Sequence, residues 1–197
     1  MKAPIPGPSV PTRHNPVSVA LGRFGLSVFG WRIEGEFPDV PRCVVIVAPH
    51  TSNWDFFVGL FAGWALNIRF SFIAKRSLFW FPLGAVLRFL GGIPIDRSAA
   101  HGIVGRIVAL YRESPQLFLA VTPEGTRRRV EQWKTGFYRI AEGAGVPIVP
   151  VAFDYGRRAV AILAPFTATG DLEGDIGRLR SLYAGIRPCK PGNWVAG

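Results

Sequence analysis

Cysteine is scarce: the 197 residues include two, Cys43 and Cys189, far apart in the chain. With no others to pair, they make neither a disulfide framework nor a metal cluster, and a reducing, intracellular setting is expected. Acidic residues are also few. Thirteen Asp and Glu stand against 23 Lys and Arg, a formal net charge of +10, so the partner or substrate is expected to be anionic. Long apolar runs are missing too. The longest, "FFVGLFAGWALNI" from Phe56 to Ile68, is cut off by Asp55 and Arg69 and falls short of the roughly 20 residues that a membrane-spanning helix takes. Nor does the N-terminus read as a signal peptide, since its apolar part follows a Pro-rich stretch and is interrupted by Arg23.

What is present is basic and apolar at once. The chain is 49% hydrophobic and 13% aromatic, with a mean hydropathy of +0.25. That combination points to a membrane surface ahead of nucleic acid, and to a peripheral or monotopic protein on the cytoplasmic side. Residues 1–16, with Pro4, Pro6, Pro8, Pro11 and Pro16, read as a flexible leader. Residues 17–197 then read as one domain, large enough for a core of its own. It opens with an amphipathic helix over 17–31, in which Val17, Leu21, Phe24, Val28 and Trp31 recur at helical spacing. Such a stripe suits core packing and an interfacial anchor equally.

Further on, the apolar runs "CVVIVA", "FSFIA", "GIPI", "LFLAVT" and "PIVPVAF" alternate with helical segments near 52–67, 78–90, 101–113 and 134–144. This predicts an α/β fold, a single domain with a largely parallel or mixed central sheet covered by helices. "VAILAPF" is expected as a last edge strand and "DLEGDIGRLRSLYAGI" as a closing helix with Asp171 near its start. "SLFWFPLGAVLRFLGG", with Phe79, Trp80, Phe81 and Leu83 between Arg76 and Arg88, reads as core packing or as a segment dipping into a lipid interface.

In such a sheet, chemistry gathers where strands end and helices begin. Directly after "CVVIVA" comes "PHTSNWD", Pro49 to Asp55. Ser52 predicts an N-cap, and Ser52-x-x-Asp55 a capping box. On one helix His50 and Asp55 would lie roughly 140° apart. With His50 in the preceding loop, Asp55 in the first turn reaches its ring, fixes the tautomer and leaves the other nitrogen to take a proton from a hydroxyl.

Three more blocks stand at or beside predicted strand ends: "GGIPIDR" ending at Arg97, "TPEGTRRR" from Thr122 to Arg129, and "VPIVPVAF" from Val146. In this order the four blocks, over roughly His50 to Phe153, resemble the glycerolipid acyltransferase superfamily, typified by 1-acylglycerol-3-phosphate acyltransferases. The resemblance implies that His50 is the catalytic base and Asp55 its partner. It places Gly92, Ile95 and Arg97 in the second block, whose arginine helps to bind the acceptor's phosphate. Glu124, Gly125, Thr126 and Arg127 fall in the third, also assigned to acceptor binding, and Pro147 and Pro150 in the fourth. Thr122 departs from the family's usual Phe, and "RRR" from its Arg-Ser.

The expected reaction moves a fatty acyl group from acyl-CoA or acyl carrier protein to the free hydroxyl of a lysophospholipid, foremost 1-acylglycerol-3-phosphate. A positioned hydroxyl attacks a thioester directly, so no cofactor and no metal is expected. Arg97 and Arg127 suit a phosphate because a guanidinium offers paired, always charged donors. Lys75 is a further candidate cation, and Glu124 either touches substrate or orients Arg127. The alternatives are another lysolipid acceptor, such as a lyso-ornithine lipid, and a non-catalytic membrane lipid-binding protein of the same fold. A nucleophile-elbow hydrolase lacks its G-x-S-x-G, a phosphate-loop nucleotide site its G-x-x-x-x-G-K-[ST], and no nucleic-acid module appears.

Overall fold

The computed structural model of the protein describes residues 4–95 and 100–195. Its centre is β2, Arg42–Ala48. A strand covered on both faces is apolar at successive positions instead of alternating, and β2 is so covered. Val44, Ile46 and Ala48 enter one core while Cys43 and Val45 enter the other. Around it lie β1 (Arg32–Glu34), β3 (Phe70–Lys75), β4 (Gly92–Ile95), β5 (Leu117–Val121), β6 (Ile148–Asp154) and β7 (Ala159–Ile162), in the order β1-β7-β6-β2-β5-β3-β4. The pairings are parallel except for the β6–β7 hairpin, so the sheet is mixed.

Among the described residues six α-helices follow the expected alternation: α1 Pro16–Val28, α2 Trp54–Ala65, α3 Leu83–Phe89, α4 Ala100–Glu113, α5 Gly136–Ala144 and α6 Leu172–Ser181. Helices α4, α5 and α6 supply Ile107, Tyr111, Phe137, Ile140 and Leu179 to the first core, and α2 supplies Val58, Ala62 and Ala65 to the second. Asp171 is the N-cap of α6, accepting from Gly174 N at 3.1 Å. The tyrosines buried in the first core keep their hydroxyls satisfied: Tyr111 donates to the Cys43 carbonyl at 2.8 Å and Tyr183 to that of Ile46 at 3.1 Å.

Two expectations need correction. "VAILAPF" does form β7, but β7 is not the edge, because the three-residue β1 pairs outside it. A strand of that length has no periodicity to detect. The Pro-rich leader is extended but not free over its described residues. Val10 is buried in the second core, Ser9 N donates to Asp39 at 2.8 Å, and Thr12 bridges Ile68. Proline bars helix yet leaves carbonyls to accept, and Pro11 O takes Arg69 N at 2.8 Å.

The open question of α1 is answered by its contacts. Its inner face is Ser18, Gly22, Gly25 and Leu26, packed on α2 so closely that a Cβ on Gly22 would stand 2.4 Å from Ala65 N. The apolar stripe points the other way. Val17, Leu21, Phe24 and Val28 are exposed, Phe24 by 68%, and only Trp31, beyond the helix end, turns inward. Trp54 and Phe57 on α2 continue this apolar surface, and Trp80 and Phe81 ahead of α3 are exposed too, Phe81 by 87%. No helix among the described residues is long and apolar enough to cross a membrane.

Candidate active site

The strands of β2 and β5 run parallel, with Ile46 beside Val121, so the loops that leave their C-terminal ends meet. One is Pro49–Asn53 and the other begins at Thr122. The first loop is held by its own capping chemistry. Ser52 Oγ accepts from Trp54 N at 3.2 Å, and Asp55 Oδ2 accepts from both Thr51 N and Ser52 N at 2.8 Å. Asn53 already has helical angles and is the N-cap by geometry, without a side-chain bond, so Asp55 is the second helical residue and not the third. The carboxylate nonetheless bonds the Ser52 amide as the capping box requires.

The same oxygen lies 3.2 Å from His50 Nδ1. Asp55 is 1% exposed and the His50 side chain 18%. Capping and imidazole pairing are therefore one arrangement: two amides orient the carboxylate, which orients the ring. His50, Asp55, Thr122, Gly125 and Lys134 line a cavity of about 980 Å³, whose apolar wall includes Phe56, Leu60 and Phe72.

Glu124 does not orient Arg127 as expected but braces the His50 loop. It is buried, and its Oε1 accepts the backbone amide of His50 at 2.8 Å, so it holds the His50 loop and forms no pair with Arg127. Burial raises its pKa, and its Oε2 has no partner among the described residues. Gly125 follows with φ +64°, and the Lys134 stem crosses it where a Cβ would lie 2.8 Å away. Thr126 Oγ1 accepts from Arg128 N at 3.3 Å, and Arg127 is exposed.

The second block divides. Ile95 and Lys75, paired in the β3–β4 register, stand at the C-terminal end of the strands, the end that also carries His50. Gly92 begins β4 three residues earlier, roughly 10 Å back along the strand. It is a packing glycine, since a Cβ there would meet Leu87 O at 2.8 Å, and it does not join the residues around His50. Arg97 lies outside the described residues. The fourth block supplies β6, and the carbonyl of Pro147 just before it accepts Val44 N at 3.0 Å.

The family profile for Acyltransferase matches residues 33–154, more than half of the chain. The chain belongs to the Acyltransferase family. This acyltransferase is 27% identical over 165 residues to the 1-acyl-sn-glycerol-3-phosphate acyltransferase of Haemophilus influenzae, covering 73% of this chain and 67% of that one. It is 31% identical over 134 residues to that of Escherichia coli, covering 63% and 53%. It thus spans about half to two thirds of the length of these relatives. The crystal structure of the 1-acyl-sn-glycerophosphate (LPA) acyltransferase PlsC from Thermotoga maritima has the same fold, with a TM-score of 0.58 over 89% of this chain and 81% of that one at 20% identity.

One residue past the matched stretch, the acyltransferase has a contact that its sequence did not disclose. Tyr155, just after β6, donates its hydroxyl to Asp55 Oδ1 at 2.7 Å. Its ring stands edge-on to Trp31 at 4.8 Å. Burial first, and Asp55 next, push the phenol pKa far above its usual value, so it stays a donor. A hundred residues separate the partners, and no local pattern marks the pair. A hydrogen bond to a charged group contributes about 1.5–3 kcal/mol. Tyr155→Phe should therefore lower kcat about tenfold with KM for both substrates unchanged, measured by steady-state acyl transfer. Unchanged kcat with a lower melting temperature would reduce Tyr155 to a packing residue.

Proposed function

We propose that this acyltransferase moves a fatty acyl group from acyl-CoA or acyl carrier protein to the free hydroxyl of 1-acylglycerol-3-phosphate, with His50 as general base oriented by Asp55. The observation that carries the reading is the 3.2 Å His50–Asp55 pair, inside a cavity with an apolar wall. With Nδ1 engaged by the carboxylate, Nε2 takes the acceptor's hydroxyl proton. The freed oxygen pair bonds to the thioester carbonyl carbon and a tetrahedral oxyanion forms. Its collapse breaks the carbon–sulfur bond, and the imidazolium returns the proton to the leaving thiolate. Names of the relatives support the acceptor: each is a 1-acyl-sn-glycerol-3-phosphate acyltransferase.

Exposed Arg127, with no ion pair among the described residues, is suited to the acceptor's phosphate, as Lys75 is by its place at the same end of the sheet; Arg97 joins them by its position in the second sequence block alone. Glu124, Gly125 and Thr126 shape the loop that carries Arg127. The outward stripe of α1 with Trp54, Phe57, Trp80 and Phe81 supports seating on a lipid surface, where acceptor and product reside. Both cysteines are free, which fits the cytoplasmic side.

His50→Ala should abolish transfer by orders of magnitude without unfolding, because the ring is partly exposed; near wild-type turnover of a thioester and lysolipid panel, with products resolved by mass, would refute the base assignment. Arg127→Ala should weaken use of the phosphate-bearing acceptor by about ten- to a hundredfold while a phosphate-free lysolipid suffers much less; equal losses would remove the phosphate from this arginine. Replacing Leu21, Phe24 and Val28 together with Ser should leave the fold intact and release the protein from vesicles in flotation, since apolar burial of about 25 cal/mol per Å² is lost. Full retention would show that α1 is not the anchor.

A further inference from the structure

A second basin, about 550 Å³, opens where β3, β4 and β5 begin, at the other end of the sheet from His50. The length of β3, roughly 20 Å from Arg69 to Lys75, separates the two ends. Arg13, Arg69 and Arg88 line the basin together with Ser71, Ser114 and Gln116, and no carboxylate among the described residues lines it. None of these arginines forms an ion pair among the described residues.

The guanidiniums of Arg13 and Arg88 are held by other means. That of Arg13 lies 5.2 Å from the Phe89 ring and 5.9 Å from Trp64, and donates to the Phe89 carbonyl at 3.4 Å. Arg88 stacks on Phe79 at 5.4 Å. Stacking on an aromatic face leaves the N–H fork of a guanidinium free for other acceptors. Three like charges around one concavity repel each other, and burial together with the Arg69 charge already lowers the Arg13 pKa. An oxyanion in the basin would replace that repulsion with attraction and accept charge-assisted hydrogen bonds from these guanidiniums in place of solvent.

We propose that the basin bounded by Arg13, Arg69 and Arg88 is a second anion site, built for a phosphate group and separate from the catalytic end. The phosphate comes from a phospholipid head group or from free phosphate. Phe89, exposed by 64%, and exposed Val86 stand on α3 beside the basin, which places acyl-chain-compatible surface next to the cations.

The test compares three proteins: wild type, Arg69→Gln with Arg88→Gln, and a control of equal or greater charge loss, Arg106→Gln with Arg112→Gln and Arg139→Gln, whose exposed arginines lie on α4 and α5. All retain the arginines of the catalytic end, so any phosphate bound there is common to them. One arm titrates inorganic phosphate and follows the melting temperature. The other measures flotation on phosphatidylcholine vesicles with and without phosphatidylglycerol. The basin double variant should melt no lower than wild type without phosphate, because a repulsion is gone. It should need about tenfold more phosphate for half the stabilisation, or lose the preference for phosphatidylglycerol, while the control keeps both. Loss in the first arm assigns free phosphate, and loss in flotation alone assigns the head group. Retention of both responses at the control's level would overturn the site.

Discussion

The buried carboxylate of Asp55 is the constraint around which this protein is organised. A charge that is 1% exposed is tolerated only when its oxygens are occupied, and here each acceptor direction leads to a different part of the fold. Thr51 N and Ser52 N belong to the loop after β2, Tyr155 to the turn after β6, and the His50 ring to the cavity. Moving any of these elements would strand the charge. Its burial thus couples the first turn of α2, the central strands and the imidazole in one arrangement.

The loop that carries His50 is braced from a second side. Glu124, in the turn after β5, accepts the His50 amide, so both loops at the catalytic end are tied through one residue's backbone. Gly125 then permits the left-handed turn that aims the following arginines outward, beneath the Lys134 stem. The proposed catalytic base and anion-binding groups are in this way delivered from adjacent strands, since the βα loops after parallel β2 and β5 leave the same end of the sheet.

The proposed placement at a lipid surface rests on an inversion at the N-terminus. Small residues on one side of α1 let its backbone approach α2 within contact distance, and close packing of that kind needs no large side chains. The large ones are left facing outward, beside the aromatic start of α2 that also carries Asp55. Exposed apolar surface and the His50 cavity are consequently neighbours on a single helix.

Sequence alone determined the elements whose signal is local. Doubly buried strands such as "CVVIVA" show as unbroken apolar runs, capping shows in Ser52 and Asp55, and the ordered blocks around His50 and Glu124 pointed to the family before any coordinates. Position along the chain also gave Asp171 as the start of α6. Other features depend on contacts between distant segments, which leave no period or spacing to read. They include Tyr155 reaching Asp55, Glu124 turning inward to the His50 amide, Gly92 packing under α3, the three-residue β1 outside β7, and the leader laid against Ile68 and Asp39. The direction of the α1 stripe belongs with these, because periodicity reveals that a helix has two faces but only the neighbour it packs on decides which one is buried.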